Sequence, residues 1–177
     1  MTARKRQSQD EQRFARWGRR HGQAVRGYVL AMVGRADVAE DLTQEVFVRA
    51  WQARRRYREQ DHARAYLLRI ADRLVFDRQR KAGREVTLDQ QNWKRIEPAG
   101  RTEDPSQTLA RTEAAKQLTV ALQRLSPAQR RVLLLRYYGQ LSFSEIARIV
   151  ECPISTALSH CRRGLLALRK LLVENVP

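Results

Sequence analysis

Ser126-Pro127-Ala128-Gln129-Arg130-Arg131-Val132-Leu133-Leu134-Leu135-Arg136-Tyr137-Tyr138-Gly139 leads, through Gln140-Leu141, into Ser142-Phe143-Ser144-Glu145-Ile146-Ala147-Arg148-Ile149-Val150. Glu151-Cys152-Pro153 follows, then Ile154-Ser155-Thr156-Ala157-Leu158-Ser159-His160-Cys161-Arg162-Arg163. Ser126 with Gln129, and Ser142 with Glu145, each have the spacing of a capping box, in which side chains satisfy the free N–H groups of a helix start. Pro127 suits the first helical position, and Gly139 suits a helix end. A short helix with Ile146, Ala147 and Val150 inward, a three-residue turn and a longer basic helix make a helix-turn-helix pattern. On the last helix, from about Ile154 to Leu172, Ile154, Ala157, Cys161, Leu165 and Leu168 fit a buried side.

Leu158, Ser159, Arg162 and Arg163 share another side of that helix. They suit a DNA major groove, where arginine reads guanine through two parallel hydrogen bonds. Thr156, near the helix start, suits a phosphate, helped by free backbone N–H groups. A helix pair of this kind also occurs as plain packing; the capping boxes, the turn and the basic outer face favour DNA.

Upstream, residues from about Leu109 to Leu125 read as a further helix carrying Leu118, Ala121, Leu122 and Leu125. Before it, residues 83–110 form a linker. They hold Gly83, Pro98, Gly100 and Pro105 and have no sustained apolar period. Trp93 and Ile96 are the apolar exceptions. The expected organisation is all-α: a disordered basic N-terminus over 1–10, a helical domain over 11–82, the linker over 83–110, and the helix-turn-helix domain over 111–177.

The first domain has three helical stretches. Phe14, Trp17, Ala24, Val25, Tyr28, Val29 and Met32 give one apolar face, ended by Gly34, with Gly18, Gly22 and Gly27 suited to close helix packing. Leu42, Val46, Phe47, Ala50 and Trp51 form a second stripe in a helix opened by Asp37, which with Glu40 resembles a capping box. Asp41, Gln44 and Glu45 lie on its other faces and read, taken alone, as solvated surface. Tyr66, Leu67, Ile70, Ala71 and Leu74 form the third stripe, over about Ala63 to Lys81. Between the second and third helices lies Arg54-Arg55-Arg56-Tyr57-Arg58-Glu59-Gln60-Asp61-His62. Interleaved aromatic and basic residues suit contact with exposed bases. A solvated arginine cluster with Tyr57 closing the core fits the same residues.

The chain of 177 residues carries 35 Lys and Arg against 19 Asp and Glu, a formal net charge of +16 that points to a polyanion. The charge is partitioned: the segments 11–82 and 111–177 carry +8 and +7, while the linker between them carries −1. The longest apolar run is Tyr28–Val33, too short to span a membrane, and the N-terminus has no secretory pattern. Two cysteines cannot build a disulfide scaffold, so a cytosolic setting is expected. His21, His62 and His160 are far apart in sequence, Cys152 and Cys161 fall on the inward side of the helix-turn-helix, and neither a glycine-rich phosphate loop nor a metal-spaced cluster occurs. An enzyme, a metal, a cofactor and a small-molecule substrate are therefore not expected.

The chain resembles the bacterial RNA polymerase sigma factors of the extracytoplasmic function (ECF) group. Ala39-Glu40-Asp41-Leu42-Thr43-Gln44-Glu45-Val46-Phe47, with Leu67-Leu68-Arg69-Ile70-Ala71 and Asp77, resembles the family's region 2. Leu125 to Tyr137, Leu141 to Ala147, and Thr156 with Ser159 to Arg163 resemble region 4. The resemblance implies a dissociable initiation subunit of the bacterial cytoplasm. Region 2 would bind the polymerase β′ clamp helices and open and read the −10 promoter element; region 4 would bind the β flap and read the −35 element. It implies core-polymerase contacts at Asp41, Gln44 and Glu45. It implies −10 contacts at Arg56, Tyr57, Arg58, His62, Arg69, Arg73 and Arg80, and −35 contacts at Thr156, Leu158, Ser159, His160, Arg162 and Arg163. It also implies an anti-sigma partner. Arg73 stands where the family often has asparagine, Tyr66 where it commonly has tryptophan, and Leu158 where a polar or basic residue is frequent. A helix-turn-helix regulator that acts without replacing sigma is the competing class; it would need a sensing domain, and no residues remain for one.

Overall fold

The computed structural model describes residues 3–54, 57, 62–82, 115 and 117–173. The linker 83–110, with Trp93 and Ile96, and the site candidates Arg56 and Arg58 lie outside the described residues. Among the described residues every regular element is an α-helix. Helices α1 (Ala3–Val33), α2 (Ala36–Gln52) and α3 (Ala63–Ala82) are followed by α4 (117–124), α5 (Pro127–Tyr137), α6 (Phe143–Val150) and α7 (Ile154–Val173). The chain divides into two compact units, one holding α1, α3 and α2 from Asp37 onward, the other holding α4 to α7.

In the first unit α1 packs along α3. Trp17, Val25, Tyr28, Val29 and Met32 of α1 are buried, as are Leu67, Leu68, Ala71, Leu74 and Val75 of α3 and Leu42, Val46 and Ala50 of α2. Tyr28 buries its hydroxyl as well, and donates it to Asp72 Oδ1 of α3 at 2.6 Å. Gly34 ends α1 with a φ of 76°, a conformation open to glycine at no steric cost. Two expectations are corrected here. Helix α1 begins at Ala3, inside the segment expected to be disordered. Residues 3–13 hold no glycine or proline and are mostly good helix formers, so an established helix propagates through them. Gly18 and Gly22 do not serve close packing either, because a β-carbon on each would have open space around it.

In the second unit α5, α6 and α7 pack against one another. Both capping boxes form: Ser126 with Gln129 at α5, and Ser142 with Glu145 at α6. Such a cap is worth about 1 kcal/mol. Glu151 takes a left-handed conformation at φ 57° to end α6, and the N–H of Cys152 returns to the carbonyl of Ala147 at 3.1 Å. Arg131 donates to the carbonyl of Ile149 at 3.2 Å and Arg136 to that of Leu141 at 2.8 Å, so α5 also supplies donors to the end of α6 and to the loop before it.

The buried face of α7 differs from the expected one. Ala157, Cys161 and Gly164 are buried, whereas Ile154 and Leu165 are 49% and 42% exposed. The small residues let α5 and α6 approach closely and turn the two large apolar residues toward solvent. In α6 Ile149 is buried and Val150 only half-buried, one residue out of the expected register.

Candidate nucleic-acid and polymerase interfaces

Three exposed helix faces carry most of the predicted residues. On α2, Asp41 and Gln44 are exposed and Glu45 is half-buried. Their spacing puts them on one side of the helix. Glu45 Oε1 accepts from Arg49 Nε at 2.7 Å, one turn further on. Val48, 48% exposed, continues this side. The face is therefore acidic with an apolar residue, inside a chain of strongly positive charge, and it suits a protein partner better than a polyanion. Val48 was not among the sequence candidates; its place one turn after Gln44 was the available signal.

On α3 the chemistry reverses. Arg69, Arg73 and Arg80 are all exposed and recur along the helix. Arg69 holds its guanidinium 5.8 Å from the Tyr66 ring centroid, and Arg80 pairs with Asp77 at 2.9 Å, both well exposed. Burial pushes the Tyr66 phenol upward in pKa, an effect that Arg69 opposes. His62, exposed just before α3, offers its carbonyl to the N–H of Tyr66 at 2.9 Å.

Tyr57 is half-buried. Its ring meets Trp17 edge-on at 4.9 Å and lies tilted against Tyr66 at 4.5 Å. Of the two alternatives open for this residue, its position matches the one that closes a core. His21 on α1 is half-buried, and its Nδ1 makes no hydrogen bond among the described residues. Burial, then the charges of Arg64 and Arg20, lower its pKa from 6.5.

On α7, Leu158, Ser159, Arg162 and Arg163 are brought together on the exposed side, with Leu158 46% exposed. Arg163 Nε donates to the carbonyl of Ser159 at 3.3 Å, which leans its guanidinium back along the helix. Thr156 and His160 are half-buried and stand apart from that group. The N–H of Thr156 already donates to the carbonyl of Pro153 at 3.0 Å, and that of Ala157 does so at 3.1 Å. Thr156 therefore has its hydroxyl, and not a free backbone N–H, for a phosphate. Cys161 is buried, and burial raises its thiol pKa, with Arg136 pulling the other way; Cys152 is half-buried. Ile154, exposed at the start of α7, extends the apolar character that Leu158 introduces.

Among the described residues no group of histidine, cysteine and acidic side chains has a metal-holding arrangement, and no helix is long and apolar enough to cross a membrane.

Residues 18–85 match sigma-70 region 2, and residues 115–168 match sigma-70 region 4. The chain is 31% identical over 172 residues to the ECF RNA polymerase sigma factor SigK of Mycobacterium tuberculosis, covering 92% of this chain and 87% of that protein. It is 30% identical over 154 residues to the ECF RNA polymerase sigma factor SigW of Bacillus subtilis, covering 80% and 79%. Among solved structures it resembles the sigma factor RpoE of Bartonella quintana, determined in complex with the anti-sigma factor NepR. That likeness has a TM-score of 0.74 at 25% identity and covers 92% of this chain and 98% of the other. CnrH, solved with the cytosolic domain of CnrY, shares the fold at a TM-score of 0.68 and 22% identity, over 94% and 91% of the two chains. The matched regions take in the acidic face of α2 and the basic faces of α3 and α7, and on these grounds the chain belongs to the ECF sigma factors of RNA polymerase, whose function is promoter-specific transcription initiation.

Proposed function

We propose that this chain binds core RNA polymerase through the Asp41, Gln44 and Glu45 face of α2, extended by Val48, and docks it on the β′ clamp helices. The opposite charge of two exposed faces in one small unit carries this reading: α2 is acidic where α3 is lined with arginine. A duplex or a melted strand would be repelled by the first and held by the second.

Arg69, Arg73, Arg80 and His62 then meet the −10 element, together with Arg56 and Arg58 from the preceding segment, while Tyr57, first expected to meet it too, packs on Trp17 and Tyr66 and anchors that segment to the core. A base taken out of the stack is costly, and guanidiniums on the phosphates supply salt-dependent affinity to offset that cost. Leu158, Ser159, Arg162 and Arg163 read the −35 duplex, with the Thr156 hydroxyl and His160 at the border, while the same domain meets the β flap. The domains are taken as 11–82 and 111–177, with 83–110 as the tether that raises the effective concentration of the second contact once the first is made. The chain acts in the bacterial cytoplasm without chemistry of its own, and an anti-sigma factor restrains it, in keeping with the complex of RpoE with NepR.

The division of labour is tested by separating the contacts. Glu45→Lys with Asp41→Lys should abolish binding to core polymerase while the purified chain keeps its fold. Arg162→Ala with Arg163→Ala should leave core binding intact and remove −35 dependence. Loss of polymerase binding in the second pair, and not in the first, would overturn the assignment.

A further inference from the structure

The first turns of α1 lie ahead of the region 2 match, which begins at residue 18, yet they make a sheltered ion-pair cluster. Asp10 Oδ1 pairs with Arg13 Nη2 at 2.9 Å, and Asp10 Oδ2 with Arg54 Nε at 3.6 Å. The three side chains are 27%, 16% and 25% exposed. By contrast, the side chains of the pairs Arg26–Glu40, Arg49–Glu45 and Arg80–Asp77 are 43% or more exposed. Exposed pairs of that kind contribute little, while a sheltered carboxylate shared by two guanidiniums is far less screened.

The cluster lies where the chain leaves α2. Arg54 Nη1 donates to the carbonyl of Trp51 at 3.0 Å, and its guanidinium sits 4.3 Å from the Trp51 ring centroid. Arg13 Nη2 reaches the carbonyl of Arg54 itself at 3.5 Å. Rings continue the attachment: Phe14 meets Trp51 edge-on at 5.0 Å and Trp17 at 4.9 Å, and Trp17 meets Tyr57 at 4.9 Å. Helix α1 therefore holds both Arg54 and Tyr57, on either side of residues 55 and 56.

We propose that Asp10 is a positioning residue for −10 recognition. It touches no DNA; it holds Arg54 and, with Arg13, the direction in which the chain leaves α2 toward Tyr57 and His62. The proposal rests on the assignment of that segment to the −10 strand. It makes the N-terminal turns of α1 a working part of the promoter-reading unit, and not an appendage.

The test uses the full chain with core polymerase. Asp10→Ala, Asp10→Glu and Arg73→Ala are compared for core affinity, permanganate reactivity of −10 thymines, and base preference across a −10 library. Asp10→Ala should keep core affinity within about twofold, lower −10 opening about tenfold, as expected for one lost charged contact, and flatten the base preference. Asp10→Glu, which keeps the carboxylate, should recover most of the opening. Core affinity and opening falling in parallel, or an unchanged base profile, would overturn the proposal. If Arg73→Ala alters the −10 profile and Asp10→Ala does not, the positioning role fails while the DNA assignment stands. If neither alters it, both fail.

Discussion

Gly164 of α7 lies against Leu133 of α5: a β-carbon on Gly164 would stand 2.9 Å from Leu133 Cδ1 and 3.3 Å from Gln129 Cβ. Leu133 is 2% exposed, and side chains in a close-packed interior shift only by displacing their neighbours. The contact sets how closely α7, the helix proposed to read the −35 duplex, approaches α5. Gly164→Val should therefore destabilise the second unit by about 2 kcal/mol, the usual size of an overpacking penalty. It should also weaken −35 binding, because α7 is pushed away from α5. Thermal unfolding and duplex binding of the variant measure the two effects.

Tyr28 and Asp72 form a buried polar pair, with Asp72 1% exposed and Tyr28 fully buried. Tyr28→Phe removes the 2.6 Å hydrogen bond and leaves the carboxylate with one donor fewer. A bond to a charged group contributes about 1.5–3 kcal/mol, so urea unfolding should show a loss in that range with an unchanged m-value. Core-polymerase binding at 25 °C should persist, since α2 does not carry the pair.

His21 makes stability pH-dependent. Its folded pKa lies below the unfolded value of 6.5, through burial first and then the neighbouring Arg64 and Arg20. Below the unfolded pKa the unfolded chain takes up a proton that the folded chain resists. This contribution is thus fully present above pH 6.5 and is lost as the pH falls through the depressed folded pKa. Melting temperatures measured from pH 7.5 down to pH 5 should decline for the natural chain, and His21→Gln should flatten that decline.

If α3 meets the −10 strand as proposed, Arg73 contributes to the −10 base preference. It is exposed on α3 in line with Arg69 and Arg80. Arginine carries donors only, whereas the asparagine frequent at this place in the family presents a paired donor and acceptor. Arg73→Asn should change the base preferred at one −10 position in a promoter-library transcription assay. An unchanged profile would remove Arg73 from the specificity set.

Much of the fold was legible because local chemistry decided it. Ser126 and Ser142 cap the helices they were expected to cap, and Gly34 stops α1 in a left-handed conformation that costs glycine nothing. The errors fell where tertiary packing overrides apolar identity. Ile154 and Leu165 read as core, but Gly164 and Ala157 give a closer helix approach, and the large residues then face out. Asp72 carried no signal of burial, since its partner Tyr28 is 44 residues away. At the site, the grouping of Leu158, Ser159, Arg162 and Arg163 followed from helical spacing alone. Asp10 was missed because its contact with Arg54 joins two elements that no local period connects.

Reconstituted initiation tests the central claim most directly. The purified chain is mixed with core RNA polymerase and a library of randomised −10 and −35 sequences, and full-length transcripts are sequenced. Transcripts should arise only when the chain is present, from templates sharing two elements at a fixed spacing. Asp41→Lys with Glu45→Lys should abolish them. Duplex binding by the chain alone, with no initiation when core polymerase is supplied, would contradict the account.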